Sequence, residues 1–102
     1  MRSEREEEIL AMLKGVLENS SEELRGHKVF LFGSRASGKS GRRSDFDVGV
    51  IGEAPLPLKA FYKIEDKFDD LPTLYRIDWV DFNRTSERFR ERAMKHVRVL
   101  YG

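Results

Sequence analysis

A five-residue apolar run, Lys28-Val29-Phe30-Leu31-Phe32, ends at Gly33, and the twelve residues of 33–44 that follow, GSRASGKSGRRS, show no apolar periodicity. The run is β-branched and aromatic, so it reads as a buried strand. The segment after it holds three glycines, four serines and four basic residues. It has nothing to bury and reads as a surface loop, with room for one helical turn near its start. Apolar character returns in residues 45–51, Asp-Phe-Asp-Val-Gly-Val-Ile, which read as a second strand. Side chains two apart on a strand share a side, so Asp45 and Asp47 are delivered together. A strand, a basic glycine-rich loop and a strand opening with two acids are therefore the frame that the rest of the chain must fit.

The remaining elements follow from spacing. Residues 3–18 read as a helix with an apolar stripe on Ile9, Leu10, Leu13, Val16 and Leu17. Ser3 and Glu6 have capping-box spacing, and Glu4, Glu6, Glu7 and Glu8 read as a solvated first turn favoured by the helix dipole. Glu53 to Pro57 reads as a turn. Residues 58–70 read as a helix resting on Phe61, Ile64 and Phe68 and ended by Pro72. Residues 74–82 read as a third strand and 86–96 as a last helix on Phe89, Ala93 and Met94, with a short strand from Val97 to Tyr101. Three or four strands with helices between them predict an α+β (α/β layered) fold, a small mixed β-sheet flanked by helices, in a single domain over 1–102.

Composition removes several classes of function. Nineteen Lys and Arg against eighteen Asp and Glu give a net charge of +1, which argues against a dedicated nucleic-acid binder. No cysteine is present, which excludes disulfides, cysteine-ligated zinc and a thiol nucleophile. No apolar run approaches the roughly 20 residues of a membrane span. The acidic start MRSEREEEIL lacks the apolar core of an export signal, so the expected setting is the cytoplasm.

Two motifs compete for the loop. Gly33-Ser34-Arg35-Ala36-Ser37-Gly38-Lys39-Ser40 matches the phosphate-binding pattern G-x-x-x-x-G-K-S. That motif needs a helix opening at Gly38 or Lys39 and a parallel crossover of a dozen or more residues, and only Gly41 to Ser44 separates Ser40 from Asp45. Read from its ends instead, the loop gives Gly33-Ser34, ten residues, then Asp45-Phe46-Asp47.

That second pattern resembles the Gly-Ser-x10-Asp-x-Asp signature of the polymerase β-like nucleotidyltransferase superfamily. The whole chain from about residue 5 to 101 is similar to its minimal nucleotidyltransferases, many of which are antitoxins paired with a helical HEPN toxin. The resemblance implies a triphosphate held at Gly33 and Ser34 with Arg35, and Mg²⁺, as two ions, held by Asp45, Asp47 and a third carboxylate from a later strand, Asp78. Relatives often read Ala-Arg-Gly where this chain reads Ala36-Ser37-Gly38, so Arg35, Lys39, Arg42 or Arg43 must fill the role of the second arginine. The implied activity is transfer of AMP from ATP to a hydroxyl, a tyrosine of a HEPN RNase toxin, which would silence it. No nucleic acid or membrane is implied as a partner. The alternatives are an antitoxin that acts by binding alone and a P-loop NTPase.

The chemistry suits the residues. Mg²⁺ takes hard oxygen ligands and keeps several waters, so a few carboxylates and the substrate's phosphates suffice. Clustered acids repel one another and are poorly organised until a cation enters. Asp78 lies on a strand side that also carries Val80 and Phe82, where an acid is costly unless paired or bound to metal. Asp81 falls on the opposite side and reads as a strand-end residue. His27 and His96 read as surface or boundary residues, and Trp79 as core. Residues 84–98 carry six basic residues against Glu87 and Glu91, a helix able to face an acidic partner surface.

Overall fold

A computed structural model of the chain describes residues 4–38 and 45–102. Ser3, Lys39, Arg42 and Arg43, with the roles weighed for them, lie outside the described residues. In chain order the elements are α1 (Glu4–Glu18), β1 (His27–Phe32), α2 (Ser34–Ser37), β2 (Phe46–Gly52), α3 (Leu58–Asp69), β3 (Ile77–Asp81), a 3₁₀ turn (Phe82–Arg84), α4 (Glu87–Ala93) and β4 (Arg98–Tyr101). The four strands make one mixed sheet in the order β3-β2-β1-β4. β1 runs antiparallel to both β2 and β4, and β2 runs parallel to β3.

Strand alternation gives the sheet two different faces. Val29 and Leu31 of β1, Phe46, Val48 and Val50 of β2, and Trp79 of β3 point to one face, where they meet Leu10, Leu13 and Leu17 of α1 and Ile64 and Phe68 of α3 in the main core. Trp79 stacks on Phe61 with centroids 5.5 Å apart, and its indole N–H donates to the Phe61 carbonyl at 3.1 Å. The other face carries a small aromatic cluster of Phe30, Phe32 and Phe82, with Phe89 and Ala93 of α4 laid over it. Asp47, Gly49 and Asp78 sit on this second, thinly covered face.

The last helix is shorter than residues 86–96. It ends at Ala93 and buries none of its residues; Phe89 and Met94 stay 39% and 40% exposed. Its apolar side has one aromatic cluster to rest on, not a core. The third strand begins at Ile77 instead of 74, because local bonds around Thr73 bend the chain after Pro72.

Gly49 makes the second face possible. A β-carbon there would lie 2.6 Å from the Phe82 ring and 2.8 Å from the Phe30 ring, and those rings already contact each other edge to face. Gly49→Ala, which in an open strand would be mildly favourable, should here destabilise the chain by about 1–3 kcal/mol in urea unfolding.

Candidate active site

The parallel pairing of β2 with β3 sets Asp47 directly beside Asp78. On the other flank, β1 sets Phe32 beside Asp47. Asp45 lies two residues before Asp47, at the mouth of β2, close enough to add its charge to the Asp47 site. Asp78 is paired with Arg76 at 3.2 Å and lies on the edge strand, with its side chain 36% exposed. Among the described residues no three carboxylates are close enough to ring one ion. The structure thus joins Asp47 to Asp78 tightly and brings Asp45 near them without closing the set.

Gly33 closes the back of this pair. It ends β1 at φ 72°, and a β-carbon in its place would collide with Oδ2 of Asp47. The left-handed backbone and the close approach each demand glycine. Ser34 opens α2 immediately after it, so the Gly-Ser turn abuts the acidic pair.

Burial pushes the Asp47 carboxyl up from 3.8 to about 6, with repulsion from Asp78 and then Asp45 adding to the shift, and a hydrogen bond to Asp78 favouring the protonated form. The donor set of Asp45, Asp47 and Asp78 is all hard oxygen, the type that Mg²⁺ takes. By donor chemistry these carboxylates suit magnesium, which needs few protein ligands because it keeps several waters.

Arg35 does not join them. Its guanidinium is buried on the core face, 2.7 Å from Glu6 and 4.3 Å from the centre of the Phe46 ring, with Tyr75 at 5.1 Å. Phe46 alternates with Asp45 and Asp47 and so points away from them. The guanidinium expected beside the Gly-Ser turn thus stands behind β2, on the face opposite Asp47 and Asp78. Glu6 is corrected with it: it is buried against Arg35 and is not part of a solvated first turn. The pairing spans 29 residues and left no local signal in the sequence.

Asp81 accepts from the backbone N–H of Leu56 and of Asn83, each at 2.9 Å, and pairs with Arg84; it caps the strand end and lies away from the acidic pair. His27 links the carbonyls of Arg25 and Ala54 at the sheet's far end. The P-loop reading fails on topology, since β1 and β2 are antiparallel neighbours, and Gly38 caps the end of α2 where that motif needs a helix to begin.

Comparison with known proteins agrees with the fold. The family described as polymerase beta nucleotidyltransferase matches residues 13–102. The probable protein adenylyltransferase MntA of Haemophilus influenzae is 36% identical over 84 residues, 82% of this chain and 71% of that protein. A crystal structure of a toxin–antitoxin complex with AMP-PNP superposes with a TM-score of 0.65 at 21% identity, covering 87% of this chain and 73% of the other. A tri-AMPylated Shewanella oneidensis HEPN toxin in complex with MNT antitoxin gives a TM-score of 0.62 at 17% identity, over 91% and 72% of the two chains.

Two outcomes follow from the site. A carboxyl whose folded value is raised stabilises the fold below its unfolded value and loses that contribution as pH rises through about 6. Asp47→Asn should therefore raise the melting temperature of the metal-free chain at pH 7–8, by the equivalent of about 1 kcal/mol after solvent screening, and leave it unchanged below about pH 4. Glu6→Ala, which removes one carboxylate partner of a buried guanidinium, should cost about 2 kcal/mol in urea unfolding, and pairing Glu6→Leu with Arg35→Met should recover part of it.

Proposed function

The chain belongs to the polymerase beta nucleotidyltransferase family, and from that premise we propose that it is a Mg²⁺-dependent protein adenylyltransferase that moves AMP from ATP onto a tyrosine hydroxyl of a HEPN-type RNase toxin and thereby acts as its antitoxin. The observation that carries this reading is the pairing of Asp47 with Asp78 across two strands, hard against the Gly33-Ser34 turn. The 36% identity to a probable protein adenylyltransferase supports AMP as the group moved and a protein as its acceptor.

Asp45, Asp47 and Asp78 would hold the metal. When bound, it would supply Lewis-acid chemistry, neutralising phosphate charge. The chain's own residues supply the rest. Gly33 and Ser34 receive the triphosphate beside the acidic pair, and Gly33 lets the backbone approach without a side chain in the way. The acceptor arrives from the open edge of the sheet, where the Asp78 side chain is 36% exposed. Asp78 takes the hydroxyl proton as the acceptor oxygen bonds to the α-phosphorus. The bond from that phosphorus to the bridging oxygen breaks, and pyrophosphate leaves with the electron pair. Arg35 serves behind this scene: its contact with Phe46 and Glu6 holds the strand that carries Asp45 and Asp47.

The groove at this edge has a volume of about 640 Å³ and is lined by Asp47, Asp78, Arg76 and Tyr75 among others. It is open enough to admit a side chain presented by a second protein.

Incubation with Mg-ATP and a HEPN-type toxin that the chain binds should add the mass of one or more AMP units to that protein. Asp47→Asn and Asp78→Asn should each lower the rate by roughly a hundredfold or more while pull-down of the partner persists. Full neutralisation of the toxin by these variants, with no mass added, would instead identify an antitoxin that acts by binding.

A further inference from the structure

The basic residues of the C-terminal region divide into two sets. Arg84 is committed to Asp81 and the Leu56 carbonyl, Arg90 to the carbonyls of Phe82 and Thr85, and Arg98 to Glu7. Arg88, Arg92 and Lys95 are not committed in this way: among the described residues none has an ion-pair partner, and neither does His96. Of these four, Arg92 and His96 share a location. Both line a second groove, of about 340 Å³, whose other wall is Gly33 and Ser37 and whose floor is Phe32 and Phe89.

Phe32 and Phe89 also line the larger groove that contains Asp47 and Asp78. The two grooves therefore share one aromatic floor. One end carries two acids and the other two cation-forming side chains, with the Gly33 turn between them. A linear anion laid along this floor would put the group that needs a metal at the acidic end and its remaining charge at the basic end.

We infer that Arg92 and His96 form the subsite for the terminal phosphates of the nucleotide and the pyrophosphate it releases. The inference rests on the nucleotidyl-transfer reading and adds two residues from α4 and the turn after it. Arg92 is suited to the task because a guanidinium matches phosphate oxygens with paired donors. The imidazole adds a donor from the next turn of chain. The positions are also permissive: neither residue is buried, so substitution leaves the core intact.

Titration calorimetry with Mg²⁺ and three probes, ATP, AMP and inorganic tripolyphosphate, tests this on the full chain. Arg92→Gln should weaken ATP and tripolyphosphate about tenfold each, His96→Gln by less, and neither should alter AMP. Arg92→Lys should restore part of the loss. Arg88→Gln, which removes the same charge from the same helix outside the groove, should change nothing and so excludes a general field effect. The inference is overturned if Arg92→Gln and His96→Gln bind tripolyphosphate like the unaltered chain, if AMP weakens in step with ATP, or if the unaltered chain binds neither ATP nor tripolyphosphate. Loss of partner binding with phosphate binding intact would also overturn it and assign these side chains to a protein interface. If the probes behave as expected but no protein receives AMP, the subsite stands and the transfer reading is the one that fails.

Discussion

The register between β2 and β3 governs everything at the candidate site. Asp47 and Asp78 are neighbours only because the parallel pairing places them side by side. A slip of one residue would turn one of them into the core and separate the pair. What prevents the slip lies on the other face. Ile77 and Trp79 alternate with Asp78, and Trp79 is fixed by stacking on Phe61, by an edge contact with Phe68 and by its bond to the Phe61 carbonyl. The backbone N–H of Phe46 donates to the Arg76 carbonyl at the start of the pairing. The hydrophobic core thus sets the geometry of carboxylates that it never touches.

That geometry costs stability. Two acids side by side, one of them half-buried behind a glycine, oppose folding whenever both are ionised. The fold accepts this because the stabilising interactions are segregated. Nearly all the apolar burial is on the helix-covered face, while the second face keeps three phenylalanines and a lightly seated α4. A helix that buries none of its own residues adds little to stability, and it leaves the acidic pair open to an incoming ligand. Segregation of this kind is expected where a site needs charge that the interior would reject.

The parts of this arrangement that could be read from the chain are those with short-range periodicity. The i, i+2 spacing of Asp45 and Asp47 survives folding because strand geometry enforces it, and the break at Gly33 survives because only glycine takes that turn. Asp78 was legible as an acid on an apolar strand side. Arg35 was not. In a basic loop beside a phosphate motif it has the same local character as its neighbours, and its burial depends on meeting Glu6 across 29 residues and on Tyr75 closing over it. The end of α4 was illegible for a related reason. Its Phe89-Ala93-Met94 spacing is that of a core helix, but the aromatic cluster beneath it is too small to bury a full face.

The position of Arg35 changes how the loop should be understood. A basic loop after a Gly-Ser turn invites the view that all its cations serve the triphosphate. Here the first of them is spent holding strand to helix: its guanidinium spreads over Phe46, which lies between the two acids of the Asp-x-Asp pair, and is pinned by the acidic start of α1. Among the described residues, the basic side chains that line the groove beside the Gly33 turn are on α4 and just after it. The chain therefore uses one positive charge to fix the orientation of its carboxylates from behind and presents others from across the groove. This division leaves the acidic pair backed by the main core on one face and thinly covered on the other.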